Sequence, residues 1–363
     1  MNIFNKISPK NIGVTGCLFF AVFGTQSAVG QVTPSELSRL SLEELLGVEI
    51  SDISAKKRWL LSYEFRYLDV GMYQTGTTRL SFDEVLFSPG EETRTSSTYP
   101  IVPTFIKQRV HAFSVGREIS NKLTLSLTVP LVSQETDHIS SAPGFANFLI
   151  DSSGVGDVAL IGQYKIHRSA SASTSVGLGI SLPTGSINQR GDTPRAGAGT
   201  LERLPYTMQI GSGTYDFLVS MGHESDVGDW AVGISGSATL RTGRNEYDYR
   251  LGNNYGAELT ARFKRWSKFR PGLFINIRTT GEIRGQEQSL IIPGDPFLFG
   301  ASITDSKNFG GEKAQLGGNM RLCLTDNCGL NVNMKASVPI YQNLNGIQPR
   351  ERFSLSTAIN YSF

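Results

Sequence analysis

Two histidine–serine pairs are the first places in this sequence where chemistry could be done. His138-Ile139-Ser140 sets an imidazole and a hydroxyl two residues apart. On an extended strand they would share one face, as a general base and a nucleophile must. The surrounding residues, ETDHISSAPG, read as a loop, however, and a histidine in a loop is ordinarily solvated. His111 and Ser114 stand three apart, on opposite strand faces, where they do not readily share a hydrogen bond. Cys323 and Cys328 flank a short turn in LCLTDNCGL. In an oxidising compartment they either close a local disulfide or remain two free thiols. No further ligand stands near them at metal-binding spacing, so neither a metal nor a cofactor is expected. The remaining candidates are charged: Arg66, Lys165, Arg241, Glu258, Arg262, Arg278, Arg321 and Lys335. They share a property of position, not of motif.

That position comes from the elements that carry them. The chain ends on RFSLSTAINYSF, where Phe353, Leu355, Thr357, Ile359, Tyr361 and Phe363 alternate with small polar residues. Successive side chains of a strand point to opposite faces, so strict alternation marks a strand with one apolar and one polar side. About twelve such segments follow Arg58, among them WLLSYEFRYLDV (59–70), LTLSLTVPL (123–131), DVALIGQYKI (157–166) and WAVGISGSATLR (230–241). The charged candidates fall on the polar side throughout. A soluble sandwich lacks the apolar surface to cover every strand, so the apolar face must look outward, into lipid, and the charged face inward. A sheet in hydrocarbon must close on itself to satisfy its backbone. The expected fold is therefore all-β: a transmembrane antiparallel up-and-down barrel of about twelve strands, with a short helical N-terminal segment.

Connection lengths agree with that fold. Short connections at 117–122, 167–173, 224–229, 264–268 and 325–329 alternate with long ones at 71–104, 132–156, 183–214, 242–254, 279–313 and 341–351. Bacterial barrels have short periplasmic turns and longer outer loops, and an even strand count leaves both termini periplasmic. Trp59, Trp230 and Trp266 then fall at the short-turn end, and Tyr215, Tyr255 and Phe353 near the opposite rim, as aromatic girdles. No run of about 18 apolar residues offers a membrane helix, which says nothing against a barrel.

Residues 1–30 read as a signal peptide: Lys6 and Lys10, an apolar core from Ile12 to Gly24, and small residues at Ala28 and Gly30 before Gln31. Residues 31–57 follow as a short periplasmic or lumenal helical segment, and 58–363 as the barrel in the Gram-negative outer membrane. Thr33-Pro34-Ser35-Glu36 and Ser41-Leu42-Glu43-Glu44 each fit a capping box. The stretch LSLEELLGVEISDISAKK (40–57) resembles the segment that precedes the plug of TonB-dependent receptors; the plug that should follow is absent. With a net charge of +2, no nucleic-acid partner is expected.

Three motifs in order, SGVGDVALIGQYKI (153–166), SVGLGISLPTGS (175–186) and IGSGTYDFLVSMG (210–222), resemble the MetA-pathway phenol-degradation family of outer-membrane proteins. The earlier REISNKLTLSLTVPLV (117–132) fits the same pattern. That resemblance implies a barrel that transports substrates or intermediates, often hydrophobic ones, and it supplies no catalytic residues. The motifs themselves suit chain entering and leaving strands, a structural use. Ten inward cations, which add Lys264, Arg270 and Lys313 to those above, stand against Glu64, Asp157 and Glu258, so a basic lumen is expected. It serves either as a narrow path for small anionic, aromatic or hydrophobic molecules or as a packed interior. An adhesive or structural barrel acting through its loops is the second class. The third is an enzyme: outer-membrane phospholipase A resembles this chain in being a twelve-stranded barrel with a histidine and a serine two apart, but no matching asparagine is in place. No enzymatic activity is expected. The expected partners are outer-membrane lipid and lipopolysaccharide, the barrel-assembly machinery, reading Phe363 as an insertion signal, and an unidentified small solute.

Overall fold

The computed structural model describes residues 59–363 except 91, 92, 196, 198 and 295. The signal peptide and the 31–57 segment expected from the sequence lie outside the described residues. Fifteen strands occur within them. In chain order these are β1 (Trp59–Gly76), β2 (Thr78–Leu80), β3 (Ile101–Glu118), β4 (Leu123–Ser140) and β5 (Asn147–Val155). Next come β6 (Val158–Arg168), β7 (Ala172–Leu182), β8 (Arg190–Asp192), β9 (Leu201–Arg203) and β10 (Asp216–Val227). The last five are β11 (Trp230–Arg241), β12 (Asn254–Phe263), β13 (Phe269–Thr280), β14 (Gly311–Cys323) and β15 (Leu330–Ser362). A single helical turn, α1 (Phe82–Val85), starts at a capping box in which Ser81 and Glu84 satisfy one another's backbone N–H.

Eleven of the strands close an antiparallel ring in the order β1, β3, β4, β6, β7, β10, β11, β12, β13, β14, β15, and β15 pairs back onto β1. The strands β2 and β5 attach at the rim, to β1 and β4. The seam joins the ends of the described chain, with Trp59 and Phe363 exchanging both backbone hydrogen bonds, at 2.9 and 3.1 Å. The alternation predicts about twelve strands. Eleven are present because the final element is one unbroken strand of 33 residues. Fully extended it would reach roughly 110 Å at about 3.3 Å per residue. Instead it doubles back: Asn331–Leu344 pair with β14, and Leu344–Ser362 pair with β1. Gly346 stands beside the reversal at φ +53, a conformation that glycine adopts without a Cβ penalty.

The barrel is apolar outside and polar inside. Leu178, Ile234 and Leu273 are 64%, 59% and 64% exposed on the outer wall, whereas Asp216 is 0%, Gln134 2% and Glu64 4% exposed. A closed ring with such a wall leaves no unpaired edge, which is what a sheet in hydrocarbon requires. At the short-turn end Trp230, Phe263, Trp266 and Phe269 form a chain of ring contacts 5.2–5.7 Å apart. Tyr215 and Tyr255 are exposed at the long-loop end.

Three connections differ from expectation, one of them 341–351, which lies wholly within β15. Residues 71–76 and 132–140, expected to be loops, continue β1 and β4 past the apolar belt. Their inward side chains Gln74, Gln134, Thr136 and His138 are buried. A polar alternation offers no apolar contrast to mark it as strand, although the period of two persists. Above the ring the long loops carry apolar clusters of their own. Tyr206, Tyr249, Leu251, Ile283, Leu290 and Phe309 form one, and Tyr73, Val85, Tyr99 and Val102 another.

Candidate functional site

The lumen has two differently built sides. On the side of β4, β6, β7 and β10 it is occupied by chain. The connection after β9 turns inward, and Ile210 packs against Val110 and Val132 of the wall. Met208 lies with Ile150 and Leu204, and its carbonyl accepts from the Ser152 hydroxyl at 2.7 Å. Asp157 holds this inner segment in place. Its carboxylate accepts from Gly185 N at 3.0 Å, Ser212 N at 2.9 Å and Ser212 Oγ at 2.6 Å. The three sequence motifs therefore meet at one point. Gly185 and Gly211 touch backbone to backbone: a Cβ on Gly185 would lie 2.7 Å from Gly211 Cα. Thr184 ties the same turn to the Gly156 carbonyl at 2.8 Å. Beside it, Asp216 pairs with Arg241 at 3.0 Å, both side chains fully buried. Arg241 Nε continues to the Gly252 carbonyl at 3.3 Å, linking the wall to the 242–253 loop.

The opposite side, β12 to β15 and β1, is lined by charged side chains around space. A cavity of about 90 Å³ lies there, bounded by Arg66, Glu258, Phe274, Asn276, Arg278 and Lys335, among others. That is room for several water molecules, since one needs on the order of 10–15 Å³ by this measure. Arg66 pairs with Glu64 at 2.6 Å, Lys335 with Glu258 at 3.1 Å, and Lys313 with Glu351 at 3.3 Å. The Phe274 ring sits among these groups, with Lys335 Nζ 5.0 Å from its centroid. It has room because position 317, on the neighbouring strand, is glycine: a Cβ there would meet the ring.

The mouth is roofed by the loop clusters. The Tyr206 hydroxyl accepts from Glu287 N at 2.8 Å, and its ring contacts Tyr249 and Phe309 at 4.8 and 5.4 Å. Burial pushes the Tyr249 phenol up to about 12, so it stays a neutral hydrogen-bonding group at any ordinary pH. Arg203 joins the roof from below, 3.2 Å from Glu287.

The candidates picked out by alternation all belong to inward rows, but the structure corrects the expected charge balance. Acids passed over in the sequence face the cations. Lys165 has Glu118 at 3.7 Å, Arg262 has Glu224 at 2.8 Å, and Lys264 has Asp226 at 2.5 Å. Asp216 and Glu351 serve Arg241 and Lys313 as described above, and Arg321 Nε donates to Asn333 Oδ1 at 2.8 Å. The interior is thus largely neutralised rather than basic. Asp216 could have been found, since it shares strand parity with the inward residues of its own segment; Glu351 lay in a presumed loop and gave no signal. Cys323 and Cys328 are joined in a disulfide across the β14–β15 turn, Cα to Cα 4.6 Å. Phe363 is exposed at the seam. His138, expected in a solvated loop, is a buried strand residue stacked on Phe148 at 4.4 Å, and Ser140 Oγ accepts from Ala142 N instead. His111 faces outward and bonds the Tyr63 hydroxyl at 2.9 Å.

Comparison with known proteins bears on the fold. No family model matches the chain, and no curated protein matches it in sequence. Among solved structures, the COG4313 outer membrane channel from Pseudomonas putida F1 is similar over 87% of this chain and 98% of its own, at 14% identity and a TM-score of 0.57. A FadL homologue from Pseudomonas aeruginosa (9% identity, 84% and 90% covered, TM-score 0.39) and the toluene transporter TbuX from Ralstonia pickettii (10%, 86% and 90%, 0.36) overlap more loosely. The fold of this chain is that of an outer-membrane β-barrel.

Proposed function

We propose that this protein is a passive channel of the Gram-negative outer membrane for small molecules. The observation that carries this is the polar cavity on the β12–β15–β1 side, enclosed by a ring whose outer wall is apolar. A barrel serving merely as a lipid-embedded anchor has no use for charged side chains arranged around open space. In this reading residues 1–30 are removed on export, the short turns and both termini face the periplasm, and the long loops roof the outer mouth. Counted as crossings of the membrane, the two arms of β15 make twelve. The neutralised lumen favours no strong ion selectivity, and the Phe274 ring beside the ion pairs suits small organic molecules.

Purified protein in planar bilayers should show discrete conductance steps, and solute-loaded liposomes should exchange small organics. A barrel that inserts but stays silent and impermeable would overturn the proposal. The packed segment around Ile210 favours a second reading, a closed barrel acting through its loops, and that same result would support it. Assembly makes a separate prediction. Phe363 forms the seam with Trp59, so its deletion should lower the yield of folded, heat-modifiable barrel in the membrane; unchanged yield would count against an insertion role.

A further inference from the structure

The cavity contains one cation that its acids do not balance. Arg66, Lys335 and Lys313 each have a carboxylate of their own, in Glu64, Glu258 and Glu351. Glu351 spends its second oxygen on Gln315, at 2.5 Å. Arg278 has no ion pair among the described residues, and its Nε is buried without a hydrogen-bond partner. Two residues away on the same strand and the same face, Asn276 is 5% exposed, and its Oδ1 is also buried without a partner. Both side chains line the cavity. A buried polar group left unsatisfied costs about 1–3 kcal/mol, more when charged, so two side by side at a void mark a place where something binds.

We infer that this pair is a binding site for a small hydroxy-carboxylate. Guanidinium forks recognise carboxylates, and Arg278 has no carboxylate of its own among the described residues. The Asn276 amide needs a second group within a few ångströms, because alternate residues of a strand lie about 7 Å apart along it and side chains lean. A hydroxyl serves the amide in either orientation, as donor or as acceptor. The size agrees: about 90 Å³ is less than the roughly 150 Å³ that accommodates benzene in an engineered apolar cavity. A ligand of a few carbons, with carboxylate and hydroxyl on neighbouring atoms, fits; an aromatic acid is too large for the cavity as it stands. The site rests on the channel reading, for it lies within the same lumen and gives that reading a solute class.

Calorimetric titration of the folded barrel in detergent with sodium lactate, acetate and benzoate tests it directly. Lactate should bind about tenfold more tightly than acetate, with benzoate weakest. Arg278→Gln should weaken lactate at least tenfold, whereas Arg278→Lys, which keeps the charge and loses the fork, should weaken it less. Asn276→Leu should bring lactate down to the level of acetate. Heat-modifiable migration verifies that each variant folds. Equal lactate binding by wild type and Arg278→Gln, or no binding by either, overturns the site even if the barrel conducts. Lactate binding by a barrel that proves impermeable keeps the site and removes the channel.

Discussion

The two sides of the lumen solve one problem differently. Both face inward from strands with the same alternation, and both carry buried charge. On the β4–β10 side the void is filled by the chain itself, and the carboxylate of Asp157 is spent on backbone N–H groups and a serine hydroxyl. On the β12–β1 side, carboxylates meet long cationic side chains in direct contact beside a cavity with room for several waters. The first arrangement fixes backbone to backbone and leaves nothing to move. The second fixes the tips of flexible side chains and leaves room beside them. Where the molecule invests glycines and an aspartate it builds a wall, and where it invests lysine, arginine and glutamate it keeps a cavity.

The largest effect should come from thickening the contact between Gly185 and Gly211. A Cβ on Gly211 would land on the Gly185 carbonyl, and backbone on both sides leaves nothing that can yield cheaply. Gly211→Val should either expel the inner segment from the lumen or prevent folding, at a cost beyond the ~1–3 kcal/mol of ordinary overpacking. Limited proteolysis within 204–214 and heat-modifiable migration separate those outcomes. A variant that folds with this segment still protected would show that the filled side is not held by that contact.

Removing the anchor itself should cost somewhat less. Asp157→Ala leaves Gly185 N and Ser212 N buried without their acceptor, each worth about 1–3 kcal/mol. The barrel wall should survive while the inner segment loosens. Measured conductance should then rise as the filled side opens, with faster hydrogen exchange at Ser212. Reduced conductance would reverse the assignment of the two sides. On the open side, Glu258→Gln should be milder. It removes the carboxylate that Lys335, about a quarter exposed, meets at 3.1 Å, so the effect on stability should stay near ~1 kcal/mol after solvent screening. Its signature would be a reversal potential shifted toward anions, and no shift would place Lys335 off the conducting path.

The barrel was legible in the sequence, the difference between its two sides was not, and the reasons are definite. Alternation assigned Leu355, Ile359 and Tyr361 to the outer wall and Asn360 to the interior, where they are. Loop lengths marked the two ends of the barrel, because closure fixes where each strand must turn. The motif residues Gly154, Gly156, Asp157, Pro183 and Gly185 were legible as structural, but not as one cluster. Asp157 and Ser212 are 55 positions apart, and nothing local says they bond. The neutral lumen was missed for a related reason. Ion pairs such as Arg262–Glu224 and Lys313–Glu351 span 38 positions each, so each acid was met far from its cation. The continuation of β4 was missed because polar residues alternate there without apolar contrast.

The smallest predicted effect lies in the roof that covers both sides. Asp305 is half-buried between the loop clusters, and its charge acts on Tyr99 and Tyr206 alike. Burial raises its carboxyl above the usual range, against the opposing pull of the Lys307 N–H. The folded roof therefore holds this proton more tightly than the unfolded chain does. Stability from that proton is full below the ordinary carboxylate pKa and is lost as pH rises through the higher folded value. Asp305→Asn keeps the acceptor for Lys307 N, which the carboxylate meets at 2.9 Å, and removes the charge. It should slow hydrogen exchange in the 302–309 loop at neutral pH by a small factor and abolish the loss seen between acidic and neutral conditions. If wild type and variant show the same pH dependence, the carboxylate is better solvated than its place in the roof indicates, and the two clusters are not packed as one lid.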